Sequence, residues 1–453
     1  MGSALVVATA LLLVGCGGGG GRSDGGGGMA GADAAMDVGA DVPPDSGPSC
    51  SPDAGDAGAG AWHFFGAPLS VSPSGAYLPT MALLPDGSPV VAWTDAQPQS
   101  VITQFASFDQ AARTYTFVWK PDACGGGTWR AMGEPVAGTL PALLVPPGSD
   151  QPVRAWVSND NPSVLTVERW NGTAFEALGA PFQAVNQSIL SPVMVADANG
   201  NPFLGWLDGP NSSTVQVAHW NGSDWQMLSP AGGVPGDLAE TFFGAARALS
   251  LALTPDGLPI VAWPGTKVHA VVAEFVSGTT WAMLATAPNS DTLSNSVNGP
   301  VVRVNSTGDI FLAWIFPQVE ADGNAAELVS VSRFDGTTWQ AVGGPLYSAY
   351  VARDYDMLVD DSGAPIVADS ESALNGGGLV YSYRWNGTAW QKPAPGVAAA
   401  GPPLQTYVYS PTIAIDGSGR LVAAWVHLEN SMGYSNLPGN IVTTAIAVAR
   451  YQP

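Results

Sequence analysis

The feature that most restricts what this chain can fold into is a repeat. A turn followed by a short apolar run ending in tryptophan, Pro85-Asp86-Gly87-Ser88-Pro89-Val90-Val91-Ala92-Trp93, returns at Gln151 to Trp156, Asn199 to Trp206, Asp256 to Trp263, Ser306 to Trp314, Asp361 to Asp369 and Asp416 to Trp425. The seven copies stand roughly 50 to 65 residues apart, the period of an array built from one supersecondary unit. The sixth copy carries Asp369 where the others carry tryptophan. A second pattern falls between copies of the first: Arg169-Trp170-Asn171-Gly172-Thr173-Ala174-Phe175, then Leu178-Gly179-Ala180-Pro181. Its relatives are His219 to Trp225, Phe275 to Trp281, Phe334 to Trp339 and Arg384 to Trp390, with a degenerate form at Gly125 to Trp129.

Asn-Gly and Asp-Gly accept the positive φ of hairpin turns, so they mark tight connections between antiparallel strands. Alternation and turn signals divide each unit into four strands, a to d, with strand b ending at the tryptophan and strand d following the Asn-Gly turn. Four antiparallel strands in about 50 residues describe a propeller blade. The expected fold is therefore all-β: a seven-bladed β-propeller over residues 61–453. The last unit runs out at Arg450-Tyr451-Gln452-Pro453 without a second pattern, and a spare one, Trp62-His63-Phe64-Phe65-Gly66-Ala67-Pro68-Leu69, precedes the first unit. The N-terminal segment is thus expected to supply the outer strand of blade seven and close the ring, leaving no open sheet edge at a seam. A parallel β-helix or a pair of β-sandwiches would also fit a strand repeat, but neither uses the spare strand.

Composition bears on partners. Only 11% of residues are charged and the formal net charge is -22, with 15 Lys and Arg; neutralising phosphates needs clustered cations, so nucleic acid is excluded as a partner. Apolar residues make up 46%, ample for a core.

The first sixty residues read differently. Ala4 to Val14 is apolar but too short to span a membrane as a mature helix. Leu13-Val14-Gly15-Cys16 resembles the bacterial lipoprotein signal, which implies cleavage before Cys16, acylation of Cys16 and anchoring in the cell envelope; Gly17 after the cysteine resembles the outer-membrane default of Gram-negative sorting. Residues 17–60 are Gly, Ala, Asp, Ser and Pro with hardly an aliphatic side chain, so they cannot bury enough apolar surface to order themselves. As a Gly-rich coil this tether would span roughly 35 to 40 Å. With Cys16 lipidated, Cys50 and Cys124 remain as an even pair in an oxidising compartment. They precede the matching strands at Trp62 and Trp129, in blades that closure makes neighbours, so a disulfide between them is expected.

The repeats resemble those of exported bacterial propellers with Trp-Asn-Gly-Thr-x-Trp and Leu-Gly-x-Pro units, distantly like kelch and Asp-box proteins. That resemblance implies architecture and says little about activity. Fifteen of the sixteen tryptophans fall on repeat positions, Trp119 being the exception, and are assigned to packing between blades. The Asp-Gly turns at Asp361 and Asp416 offer one or two carboxylates each, fewer than a calcium loop needs, so neither a metal nor a cofactor is expected. The four histidines, at 63, 219, 269 and 427, stand apart from any Ser or Cys signature, so a hydrolytic triad has no support. Arg247, Arg303, Arg353 and Tyr355 suggest a sialidase-like set, although that family has six units. The b to c and d to a connections vary in length and emerge on one face, where binding residues of rigid scaffolds usually sit. Two positions beyond the strand b tryptophan, that face is expected to bear Asp95, Asp208, Glu371 and His427. The chain is read as a monomeric binding or scaffold protein for glycan or protein, with an enzyme acting on extracellular polysaccharide as the alternative.

Overall fold

A strand that is apolar on both sides needs cover on both sides, and strand b of most units is such a strand. In the computed structural model every residue of Pro89–Asp95, Pro202–Asp208 and Pro259–Pro264 is buried. The cover comes from neighbouring sheets. The structure describes residues 60–71, 75–96, 111–123, 126–185, 187–209, 214–236, 247–265, 270–285, 299–319, 325–346, 352–372, 378–397, 406–430 and 442–453. Cys16, Cys50 and Cys124, and with them the anchor, the tether and the expected disulfide, lie outside the described residues.

Every described element is a β-strand, and the strands form seven antiparallel sheets. Blade one pairs Ala76–Leu83, Pro89–Asp95, Arg113–Pro121 and Gly127–Ala131 in sequence order. Blade two runs Gly138–Leu144, Val153–Ser158, Val164–Trp170 and Phe175–Ala177, with Phe182–Gln183 also on its third strand. Blade three is Ile189–Ala196, Pro202–Asp208, Thr214–Trp220 and Trp225–Met227, and blade four Ser250–Leu253, Pro259–Pro264, Ala270–Ser277 and Thr280–Met283. Blade five is Val301–Val304, Ile310–Val319, Ala325–Phe334 and Trp339–Ala341; blade six is Ala352–Val359, Pro365–Ser372, Gly378–Trp385 and Trp390–Gln391. Blade seven takes Thr406–Ile415, Leu421–Asn430 and Val442–Gln452 from the end of the chain and Ala61–Phe64 from its beginning. The register there is Ala61 to Gln452 through Phe64 to Ala449. Inner strands contact those of the next blade all the way round, blade seven against blade one included. The ring is closed as the spare strand required.

The two sequence patterns do different work in this ring. The strand b tryptophans enter the apolar seam toward the preceding blade: Trp93 packs with Val422, Val426 and Val448 of blade seven, and Trp425 with Ile366, Ala368 and Val380 of blade six. The strand d tryptophans tie the rim. Trp225, Trp281, Trp339, Trp390, Trp62 and Trp129 each donate the indole N–H to a backbone carbonyl of the preceding blade, those of Leu178, Leu228, Ala285, Val342, Pro395 and Phe65, at 2.5 to 3.0 Å. Blade two has Phe175 in this place. The glycine of Leu-Gly-x-Pro lets the next blade's aromatic pair close in: Gly179 has φ +79°, and a Cβ there would lie 2.7 Å from both Trp220 and Trp225. Trp119 also belongs to the repeat, against the expectation. It sits across from Trp129 as Trp220 sits across from Trp225 and Trp385 across from Trp390.

The turns follow local hydrogen-bond chemistry. Asn171 Oδ1 accepts the N–H groups of Thr173 and Ala174 at 2.8 and 2.9 Å, and in blade five Asp335 accepts those of Thr337 and Thr338 in the same way. Those bonds hold the Asp335 carboxyl far below the usual carboxylate range. Asp416 Oδ1 accepts from the backbone of Ser418 and Arg420 at 2.9 and 3.0 Å, so this Asp-Gly loop is a capped hairpin turn.

Candidate functional site

The inner strands share a device that shapes the centre of the ring. The register of strand a against strand b slips between Tyr77 and Thr80, Thr139 and Ala142, Leu190 and Val193, and Tyr409 and Thr412. Each slip holds a residue with positive φ followed by proline: Leu78-Pro79, Leu140-Pro141, Ser191-Pro192 and Ser410-Pro411. Proline has no N–H for the ladder, so it marks a bulge, and a bulge turns peptide groups out of the sheet. In blades one and seven the freed carbonyls point across the channel to a single cation. Arg247, just before strand a of blade four, donates Nη1 to Pro411 O at 2.8 Å and Nη2 to Pro79 O at 2.5 Å and Ser410 O at 3.4 Å. It is a crossbar between blades more than 160 positions apart in sequence.

A second polar layer lies next to it. Arg303 of blade five donates to Ser250 Oγ at 3.2 Å in blade four and to Asp356 Oδ1 at 3.1 Å in blade six. Asp356 Oδ2 accepts from Thr412 Oγ1 at 3.3 Å and Ile413 N at 3.1 Å in blade seven. Buried Asp354 accepts Ser410 N at 2.7 Å and Ser410 Oγ at 2.9 Å, which fixes the positive-φ residue of blade seven's bulge. The inner strands surround a cavity of about 470 Å³ lined by Pro79, Pro141, Pro192, Arg247, Arg303 and Asp356 together with apolar side chains such as Met81, Leu143 and Met194.

This geometry overturns the sialidase-like set. Tyr355 is fully buried, and its hydroxyl donates to Gly299 O and Ala313 O at 3.0 and 2.9 Å; burial pushes its pKa well above the ordinary value. A phenol so held is a strut and no nucleophile. Arg247 spends its donors on backbone carbonyls rather than converging with Arg303 on a substrate carboxylate.

The four residues expected on the loop face are brought to matching places, the ends of strand b in blades one, three, six and seven, but each is buried: Asp95, Asp208, Glu371 and His427 are 2 to 7% exposed. Their placement on an open ligand face is therefore corrected. Side chains two apart on a strand share a face, so a position two beyond the seam-facing tryptophan also faces the seam. Asp208 accepts Val185 N in the preceding blade with both carboxylate oxygens, each at 3.1 Å. Glu371 Oε1 accepts from Tyr383 Oη at 2.5 Å and lies 3.8 Å from Lys392 Nζ.

Blade six departs most from the repeat. Asp369 occupies the tryptophan position, 1% exposed, and Glu371 follows it on the same side of the strand. Tyr381 stands opposite Asp369, and Lys392 lies over the rings of Tyr381 and Tyr383 at 3.8 and 4.8 Å. Burial first, then the charge of Glu371, raises the Asp369 carboxyl well above the usual carboxylate range. Two carboxyls, a tyrosine and a lysine are the ingredients of acid–base chemistry, but these acids are shut inside the seam.

No family model and no curated protein matches the sequence. Similar solved structures include the polysaccharide lyase Uly1, at 10% identity over 84% of this chain and 91% of that one, with a TM-score of 0.46. An α-L-arabinofuranosidase from Fusarium graminearum gives 10% identity, 88% and 98% coverage and a TM-score of 0.46. The Aleuria aurantia lectin, in complex with a fucosyl-α1,6-GlcNAc ligand, gives 12%, 72% and 96%, and 0.42. Likenesses this distant carry no argument about activity.

Proposed function

We propose that the protein is an exported, lipid-anchored binding propeller that offers one face of its ring to a glycan or a protein in or outside the cell envelope. The observation that carries this reading is the difference between the two faces. On one, the a to b and c to d hairpins are short, as at Leu83 to Pro89, Trp220 to Trp225 and Trp385 to Trp390. On the other, the connections run from Asp95 to Arg113, Met227 to Ser250, Met283 to Val301, Gln391 to Thr406 and Asn430 to Val442. Long connections on a rigid frame are where recognition is usually placed. Arg247 stands on this face, at the start of its inner strand, and the cavity behind it falls in the 300 to 1,000 Å³ range of small-ligand sites.

A glycoside hydrolase of the usual two-carboxylate kind would need a pair of carboxyl groups open to the substrate. Asp356, the acid that lines the cavity, and buried Asp354 are both engaged in holding blade seven, which favours binding over that kind of hydrolysis. The anchor at Cys16 and the Cys50 to Cys124 disulfide belong to the same proposal, because an exported lipoprotein meets both acylation and an oxidising compartment.

The test uses the chain from Gly17 exported behind a cleavable signal, on a glycan array and in pull-downs from envelope extracts. Binding to a defined glycan or protein that is lost when the Met227 to Ser250 connection is shortened supports the reading. Failure to retain either class would overturn it. Cys16→Ser should move the full chain from the membrane fraction to the soluble one, and non-reducing peptide mapping should find Cys50 joined to Cys124.

A further inference from the structure

The side of blade six that meets blade five is built differently from the six other seams at the same depth. At this level of four other seams the indole N–H groups of Trp93, Trp206, Trp314 and Trp425 are buried without a hydrogen-bond acceptor among the described residues, whereas Trp156 donates to Glu168 Oε2 at 3.2 Å. Asp369 is placed at that level, and both of its carboxylate oxygens are likewise buried without a donor among the described residues. Val367, two residues before Asp369 on the same side of the strand, packs in an apolar cluster with Phe311, Ala313, Ile315, Val329 and Val331 of blade five.

Among the described residues, the titratable groups around it come from blade six. Glu371 is two residues on, with its Oε1 already taken by Tyr383. Tyr381 lies opposite on the third strand, and Lys392 approaches from beyond the fourth, half exposed and nearer to Glu371 than to Asp369's buried end of the seam. Tyr355, opposite Asp369 on the first strand, spends its hydroxyl on two backbone carbonyls. Among the described side chains, two carboxylates and one ammonium leave the cluster one positive charge short. A lone ionised carboxylate in such surroundings costs several kcal/mol, and such groups neutralise by keeping a proton instead.

We propose that the seam between blades five and six is a proton-operated joint: Asp369 is stored there as the neutral acid, and loss of its proton loosens the seam beneath the long-connection face. The joint is placed for this. Strand b of blade six runs from Asp369 through Glu371 to Ser372 and ends at the connection to Gly378, on the proposed binding face. The inference holds whatever that face binds. Its sign is fixed by the direction of the carboxyl's displacement. An acid that holds its proton more tightly in the folded chain contributes stability in full below its unfolded pKa of 3.8, and that contribution is lost as pH rises through the higher folded value. Turn acids act oppositely: Asp360 and Asp416 are held below their ordinary value, so their contribution is full above that value and is lost as pH falls through the lower folded one.

The experiment compares the full-length protein with Asp369→Asn, which keeps the shape and removes the titration. Thermal melts across about pH 5 to 8 should show the parent falling relative to the variant as pH rises. Hydrogen exchange at the alkaline end should be roughly tenfold faster in the parent for residues 352–372, with the other blades unchanged. Infrared difference spectra at neutral pH should show a protonated carboxyl band that the variant lacks. Parallel melting curves, or an infrared difference carrying only carboxylate bands, would overturn the proposal. So would a dependence on sodium or potassium at fixed pH that disappears in the variant, since a metal cation would then supply the missing charge. Should Asp369→Asn fail to fold, Asp369→Leu takes its place in the melts, and the parent's infrared titration alone still decides whether a buried carboxyl is protonated at neutral pH.

Discussion

Two places in this ring break the repeat, and they break it in opposite ways. Inside blade seven the covalent chain is interrupted, between the third strand at Val442–Gln452 and the fourth at Ala61–Phe64, yet the blade keeps the contacts of the repeat toward both of its neighbours. Trp62 reaches Pro395, Trp129 reaches Phe65, and Phe65 packs edge-on to Trp119. Arg450 adds an ion pair to Asp416 at 3.1 Å and a bond to Gly87 O. Between blades five and six the chain is continuous and the rim bond from Trp390 to Val342 is intact, but the core tryptophan has become Asp369. Covalent order is therefore dispensable where side-chain complementarity is complete. Continuity, for its part, does not protect a seam whose centre has changed chemistry.

Deleting residues 61–69 should have the largest effect. It strips the outer strand from blade seven, removes buried Phe65 and Leu69, and breaks the rim bonds on both sides of that blade. Burying two large side chains contributes about 3 to 6 kcal/mol, so loss of that much together with a bare apolar edge should give aggregation or a collapse of the melting temperature. A monomeric truncation that melts like the parent, judged by light scattering and calorimetry, would mean that the N-terminal strand is an ornament on the seam rather than its closure.

The next effect concerns the rim that runs round the blades. Gly179→Ala places a methyl at φ +79° and 2.7 Å from Trp220 and Trp225, whereas Gly172→Ala meets open space at φ +103°. Gly172→Ala should cost about 1 kcal/mol from backbone strain alone, and Gly179→Ala about 2 to 3 kcal/mol because the aromatic pair must also move. Equal costs in chemical denaturation would show that the close approach of adjacent blades is not what the glycine serves.

Asp369→Leu tests the odd seam directly. Replacing a buried acid by an apolar residue of similar reach is often neutral to stabilising by 1 to 4 kcal/mol, so the variant should gain about 1 to 2 kcal/mol at pH 8, with most of the gain gone near pH 5. A loss of stability at pH 8 would mean that the carboxylate is satisfied in solution.

How far the sequence could be read follows the same division. The strand b tryptophans, the Asn-Gly turns and the spare segment at Trp62 are local or periodic signals, and they were enough for seven blades and for the closure. Trp119 escaped because the loop from Pro121 to Gly127 replaces a four-residue turn and hides its partnership with Trp129. Asp95, Asp208, Glu371 and His427 were placed on the rim although alternation from the neighbouring tryptophan points them into the seam. Arg247 had no such signal, because its partners are bulge carbonyls of blades one and seven that meet it only once the ring has closed.

The smallest effect isolates the rim bond, and blade two supplies its control. Trp390→Phe gives blade six the aromatic that blade two already carries as Phe175, opposite Trp170 as Trp390 is opposite Trp385. The change removes the indole N–H that Val342 O accepts at 3.0 Å, while Gly343, whose Cβ would lie 2.6 Å from Trp385, still allows the ring pair to approach. A net hydrogen bond contributes about 0.5 to 1.5 kcal/mol, so Trp390→Phe should cost about 1 kcal/mol, measured by chemical denaturation. The reverse change, Phe175→Trp, adds a donor facing Met132 of blade one, whose N–H pairs with Thr116 O as that of Leu178 pairs with Val167 O. It should stabilise by a few tenths of a kcal/mol up to about 1, less than the loss in blade six, because the Arg154 guanidinium already lies 3.8 Å over the Phe175 ring and stays with the larger one. If both substitutions destabilise equally, the rim depends on ring shape in each blade, and the indole bonds follow the packing instead of fastening it.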